Sequence, residues 1–192
     1  MKPSPHDRIF WRVRGLVEKF DGDQTRWAVR RSGLSAPDGS ALLALGLRPE
    51  VVETEGNLIT TAGLTRQVSL MNGAGGQALT NTATRLGTGN GAGSAAVGDT
   101  DLGAAAGAAN RWFQVMDATF PSVAAAVLTA KATFATGDGN YAWNEWGLDI
   151  GTPTVTSSAT VNAVLFNHKT SAALGTKTAG STWAFTVTIT QS

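Results

Sequence analysis

The stretch TWAFTVTIT, from Thr182 to Thr190, decides the fold class. Trp183, Phe185, Val187 and Ile189 fall on one side of an extended chain, and Thr182, Ala184, Thr186, Thr188 and Thr190 on the other. That is the two-residue period of a strand with one buried face and one wetter face. Working back from it, Arg111 to Asp117, Val127 to Ala135, Tyr141 to Ile150 and Val161 to His168 also read as strands, and Leu128, Ala130, Ala132 and Phe134 share one face of the second. Gly137-Asp138-Gly139-Asn140 and Ala179-Gly180-Ser181 supply turns between them. Five short strands separated by turns, within roughly 80 residues, predict a mainly β fold, an antiparallel β-sandwich or barrel-like sheet.

Upstream of these strands the pattern is mixed. Ile9, Trp11 and Val13 alternate with Phe10, Arg12 and Arg14, and Trp27 and Val29 repeat the idea within Arg26 to Arg31. With the turn chemistry of Asp21-Gly22-Asp23 between them, the two segments predict an N-terminal β-hairpin elaboration. Ser40 to Leu45, closed by Gly46 and Pro49, suits a brief helix. The best helix lies at about 60–72: Leu64, Val68 and Met71 fall at i, i+4 and i+7, Thr60 or Thr61 can cap its start, and Asn72-Gly73 can end it. One apolar stripe of this kind is expected to pack on a sheet. Residues 73–110, rich in Gly, Ala, Thr and Asn, read as a long loop whose expected role is contact with a neighbour. The chain therefore divides into an N-terminal attachment segment, 1–51, and a β-sandwich structural domain, 52–192.

Composition bounds the function. Charged residues make up 15% of the chain, below the roughly 25% of an ordinary soluble domain, while hydrophobic residues make up 42%. The 23 glycines, and six tryptophans beside one tyrosine, also disfavour a helical bundle. A net charge of +1 supplies no strong field to attract nucleic acid or an anionic membrane. The first 50 residues carry 9 of the 15 Lys and Arg and 6 of the 14 Asp and Glu, a mild basic excess. No cysteine is present, which removes disulfides, thiolate nucleophiles and cysteine metal sites together. No secretory leader and no membrane-spanning run is evident, so the expected setting is the cytosol or a particle released from it.

No set of residues assembles into a recognisable catalytic motif. Only His6 and His168 could serve as histidine bases, no GxSxG elbow is present, and His168 in LFNHK is expected to be a surface or hydrogen-bonded residue. Glu145 and Asp149 stand four residues apart on one strand, about 13 Å, too far for either glycosidase geometry unless Gly147 bends the chain; Glu145 is then a structural hydrogen-bond acceptor. Asp138-Gly139-Asn140 resembles a fragment of a calcium loop without its remaining ligands, and reads as a turn. GTGNGAGS, 87–94, lacks both phosphate-binding fingerprints. The run Arg8, Phe10, Trp11, Arg12, Arg14 could stack on single-stranded nucleic acid, but in a neutral chain its arginines are expected to face solvent or another subunit. The sequence implies no catalytic residues, no cofactor and no metal.

The order of segments carries further information. NLITTAGL (57–64), TRLGTGNGAGSAAVGDTDL (84–102), WNEWGLDIG (143–151) and LFNHKTSAALGTKTAGSTWAFTVTITQS (165–192) together resemble a family of small virion structural proteins of tailed bacteriophages, variously labelled capsid decoration proteins, head fibres or minor tail proteins. The resemblance covers about residues 52–192 and implies a non-enzymatic virion component. Such a protein acts through contacts with major capsid or tail proteins and with its own copies, as a trimer or another set around a symmetry axis, with no nucleic acid and no membrane partner. Trp11, Arg12, Arg14, Trp27 and Arg30 are the candidates for partner contact, since Trp and Arg are enriched at interface hot spots. A tail-fibre or receptor-binding module that stacks Tyr141, Trp143 and Trp146 on host glycans is the alternative, and an enzyme acting on cell wall or polysaccharide a third.

Overall fold

The computed structural model of the chain describes residues 11–151 and 164–191. The described residues are mainly β, built into antiparallel sheets with three helices and no closed barrel among them. In chain order the elements are β1 (Trp11–Phe20), α1 (Gly22–Ser32), α2 (Gly39–Ala44), β2 (Glu50–Glu55), β3 (Leu58–Ile59), α3 (Thr61–Met71), β4 (Thr84–Gly89), β5 (Arg111–Val115), β6 (Ser122–Ala124), β7 (Val127–Phe134), β8 (Glu145–Ile150), β9 (Asn167–His168) and β10 (Thr182–Gln191).

A five-stranded sheet runs β2-β1-β10-β7-β6, a three-stranded sheet runs β5-β4-β8, and β3 pairs with β9. The Thr-rich strand is central: β10 pairs with β1 from Phe20↔Thr182 to Trp11↔Gln191, and with β7 from Trp183↔Phe134 to Thr190↔Val127. Its alternation is realised, with Trp183, Phe185, Val187 and Ile189 all buried. They meet Trp146, Leu148 and Ile150 from β8 and Leu86 from β4, so the two larger sheets share one core. Trp143 lies at its centre, with ring centroids 4.6 Å from Phe134 and 4.8 Å from Trp183, both edge to face; Trp146 stands 5.3 Å from Phe185. Edge-to-face pairs of this kind add about 0.5–1.5 kcal/mol each beyond the area they bury.

The N-terminal region departs from expectation in one element. Arg26 to Arg31 is helical, not a second hairpin strand. Asp21, expected in a turn, accepts from the Gln24 amide while the Gln24 side chain accepts from the Asp21 N–H, and this reciprocal cap starts a helix. The strand that pairs with β1 on its other side is β2, from Arg14↔Glu55 to Lys19↔Glu50, after both helices have crossed. β1 thus lies inside the five-stranded sheet, and its Val13 and Val17 belong to the shared core. The brief helix at Ser40 to Leu45 is present as α2, capped by Asp38.

α3 has the expected span and caps: Thr60 accepts from the Gly63 N–H, and Asn72 closes the other end. Its orientation is not the expected one. Leu64, Val68 and Met71 are 42%, 59% and 77% exposed. The reason is Gly63, which abuts the Phe166 backbone so closely that a Cβ there would collide with the carbonyl. Thr60 Oγ1 donates to the Leu165 carbonyl beside it. Those contacts turn the side of Gly63, Gln67 and Leu70 inward and leave Leu64, Val68 and Met71 facing out.

Within 73–110, expected to be loop throughout, Thr84–Gly89 is the buried middle strand of the three-stranded sheet. Sequence periodicity missed it because Gly87 and Gly89 leave one face without side chains.

Candidate functional site

Register and pleat place charged side chains on the outer face of the three-stranded sheet. Glu145 lies opposite Gly89, and Gly89 opposite Arg111; Asp149 lies opposite Arg85. These alternate with Trp146, Leu148 and Ile150, which point into the core. The segment 164–169 runs beside β8, joined by Phe166 N–H to the Leu148 carbonyl (2.8 Å) and Lys169 N–H to the Trp146 carbonyl (2.8 Å). Between them the Leu148 N–H donates to the Asn167 side chain at 2.8 Å, a local break in the ladder. That path brings His168 beneath the glycine-rich segment and over Glu145.

His168 is 3% exposed and Glu145 fully buried. The imidazole Nε2 stands 2.9 Å from Glu145 Oε2, and Nδ1 stands 2.6 Å from Asp99 Oδ2. Glu145 also accepts three backbone amides: Gly91 at 3.2 Å and Ala104 at 2.7 Å on Oε1, and Gly103 at 2.8 Å on Oε2. One carboxylate therefore gathers both ends of the 91–104 segment and a histidine.

Glycine is needed here for space. A Cβ at Gly91 would lie 2.5 Å from Glu145 Oε1 and 2.8 Å from the Ala104 amide, and one at Gly89 would also run into the carboxylate. The neighbouring Asp101 holds Arg111 at 2.9 Å, and Leu102 packs with Phe113 and Leu165 beneath the segment.

The electrostatics agree with the geometry. Burial by itself would raise the Glu145 pKa, but the bonds from His168, Gly103 and Ala104 and the imidazolium charge outweigh it, and the carboxyl lies below its ordinary range. Asp99 is lowered in the same way, slight burial being overcome by the Ala96 amide and His168. Burial would lower His168, yet hydrogen bonds and charge from Glu145 and Asp99 raise it. The ring lies between two carboxylates, one at each nitrogen, an arrangement that favours its protonated form.

A histidine flanked by two carboxylates has the composition of a proton-transfer site, but its geometry here is that of a closed network. A general base needs a free nitrogen aimed at the proton it removes, and both nitrogens of His168 are committed to carboxylates. The two carboxylates lie on opposite sides of the ring, so they do not converge on one point. Among the described residues no His, Cys, Asp or Glu side chains are grouped to hold a metal ion. The acceptor role expected for Glu145 is the one observed. His168 is the hydrogen-bonded residue expected, though buried. Asp138 accepts from the Ala135 amide at 3.0 Å within its turn. His6 lies outside the described residues.

Asp149 is different. It is fully buried, with Arg85 across the strand, and neither of its oxygens makes a hydrogen bond of good geometry among the described residues. Desolvation pushes its pKa up to about 7, against the pull of the Val164 amide and Arg85.

The five contact candidates do not form one patch. Trp11 is partly buried against the core. Arg12 and Arg14 are exposed but pair with their own chain, Arg12 with Glu55 at 3.2 Å and Arg14 with Glu55 at 3.0 Å and Glu53 at 3.7 Å. Trp27, 44% exposed, and Arg30 lie on α1, which begins beyond the far end of the ten-residue β1. At about 3.3 Å per residue Trp11, Arg12 and Arg14 lie roughly 20–30 Å along the strand from that end. Tyr141, Trp143 and Trp146, considered above as glycan-stacking rings, are 7%, 0% and 0% exposed. They are core residues, and none of them presents a ring face to a ligand.

Fold and site together describe a mainly β protein whose most chemically capable side chains are bonded to one another and to the backbone. No family model, curated protein or solved structure matches the chain. No helix among the described residues is long and apolar enough to cross a membrane.

Proposed function

We propose that the protein is a structural component of a tailed-bacteriophage particle, a capsid decoration or minor head or tail protein that acts as a homo-oligomer through protein contacts. One observation carries the reading: His168, Glu145 and Asp99 are spent on holding a loop, while large apolar side chains such as Met71 (77% exposed) and Val123 (73%) stay on the surface. A surface of that kind suits burial against other proteins. The segment order described above, from NLITTAGL to the C-terminal Thr-rich strand, supports major capsid or tail proteins as the class of partner.

The test is cosedimentation of purified protein with assembled phage shells lacking it, and in parallel with host cells. Saturable binding to shells and none to cells is expected. Binding to cells with none to shells would replace this reading with an adhesive one. Copies per particle then separate shell from tail, hundreds for the first and a handful for the second.

A further inference from the structure

We propose that the outward face of α3 is the seat of a second copy of this chain, packed helix against helix across a two-fold axis. This deepens the contact reading by naming its first partner.

The face is apolar and continuous. Leu64, Val68 and Met71 follow one another along α3, and Met71 and Val123 both border a groove of about 390 Å³ floored by Leu79, Leu128 and Ile189. Among the described residues none that lines that groove is charged. From exposures of 42% to 77%, these four side chains offer roughly 400 Å² of apolar surface, the size of the largest patch on a typical soluble protein, which is often functional. That is about half of the ~800 Å² per partner in a standard interface, and the groove walls and the exposed β6 strand extend it.

The spacing on the helix favours a copy of itself. In an isologous contact residue i meets j and j meets i. With the axis at Val68, two antiparallel α3 helices place Val68 on Val68 and Leu64 on Met71 of the other copy, four residues to one side and three to the other. The stripe is then nearly self-complementary, and Met71 ends over the groove. Because neither the stripe nor the groove lining carries charge, the pairing opposes no like charges. A strongly acidic or basic partner would find nothing there to answer it.

The chain has no cysteine, so one introduced thiol reports one contact. Light scattering of wild type should give a dimer or an even-numbered assembly at tens of micromolar. Val68→Cys should form a disulfide-linked dimer under mild oxidation, and Leu64→Cys should crosslink far more to Met71→Cys than to itself. Trp27→Cys, on α1 beyond the end of β1 remote from the groove, should not crosslink. Val68→Glu should be monomeric with an unchanged circular dichroism spectrum and melting temperature. A wild-type monomer overturns the proposal, as does an assembly that persists in Val68→Glu or lacks the 68–68 link. A monomer whose Val68→Cys thiol resists modification would assign the face to another part of the same chain. Shell binding is scored separately: a monomer that binds shells sinks this inference alone, and a dimer that binds none sinks only the particle reading.

Discussion

Replacing Glu145 by Gln removes one charge and changes no heavy-atom shape, so its cost can be worked from the bonds. Oε1 accepts Gly91 and Ala104; Oε2 accepts Gly103 and His168. The amide can be placed either way. With its nitrogen at the Oε1 position, two backbone N–H groups face a donor. With its nitrogen at the Oε2 position, only Gly103 does, since His168 can shed its Nε2 proton, accept from the amide and keep Nδ1–H on Asp99. The second orientation should therefore prevail. Stranding the Gly103 amide costs about 1–3 kcal/mol, and the bonds to Gly91 and Ala104 fall from charge-assisted to neutral strength, about 0.5–1 kcal/mol each. The total is about 2–5 kcal/mol, undiscounted for solvent because Glu145 is fully buried. Urea denaturation at pH 6 with an unchanged m-value reads the loss. Amide exchange should accelerate most at Gly91, Gly103 and Ala104. Imidazole NMR should find the His168 pKa lowered relative to wild type, with the proton of the neutral ring on Nδ1. A stability loss under about 0.5 kcal/mol, together with a His168 pKa that stays raised, would refute the assignment of Glu145 as the fastener.

The same network sets a pH window. His168 is raised on folding, so its contribution is full below the unfolded imidazole value of about 6.5 and fades as pH climbs through the folded value; Glu145 and Asp99 are lowered, so theirs is full above about 4.3 and fades as pH falls through their folded values. Asp149, raised from 3.8 to about 7, favours the folded state when protonated and progressively destabilises it from pH 4 to 7. Urea midpoints should thus peak near pH 5, and a flat profile from 5 to 8 would contradict the assignments. Asp149→Asn should stabilise the protein at pH 8, with a ceiling of about 4 kcal/mol from the shift, and leave pH 4 almost unchanged; equal effects at both pH values would show that ionisation is not the cause. Gly91→Ala forces a methyl against Glu145 and should lose about 1–3 kcal/mol by thermal melting, whereas Gly93→Ala, with nothing within 4 Å, should stay within about 0.5 kcal/mol of wild type. Equal losses at the two positions would mean that loop flexibility, not the carboxylate, sets the glycine requirement.

What was legible in the sequence follows from which interactions are local. Strand β10 announces itself because its alternation is uninterrupted and each side chain answers to one face. The α3 caps are equally local, Thr60 lying three residues from the amide it receives. The inward face of α3 is not local: it is chosen by contact between Gly63 and Phe166, a hundred residues away, and a hydrophobic stripe read alone selects the other side. Arg26 to Arg31 misleads for a related reason, since Trp27 and Val29 alternate by chance while the capping residue that makes a helix stands before them at Asp21.

The glycine-rich segment shows the limit most clearly, and also a usable signal. Gly87, Gly89 and Gly91 recur at two-residue spacing, which on a strand empties one face; such a face either lies open or must be filled from another element. Phe113 fills it over Gly87, and the Glu145 carboxylate fills it over Gly89 and Gly91. No local rule pairs Glu145 with these glycines, because 54 residues separate it from Gly91. Yet a glutamate that shares a strand with Trp146, Leu148 and Ile150 is drawn into the interior, where donors stabilise its charge, and a strand face stripped of side chains is where backbone donors become reachable. The two anomalies answer each other: the low side-chain content that suggests a loose loop is the condition for a buried carboxylate to hold that loop closed. The segment is therefore fastened by its own chain, through the Glu145 carboxylate and the amides of Gly91, Gly103 and Ala104.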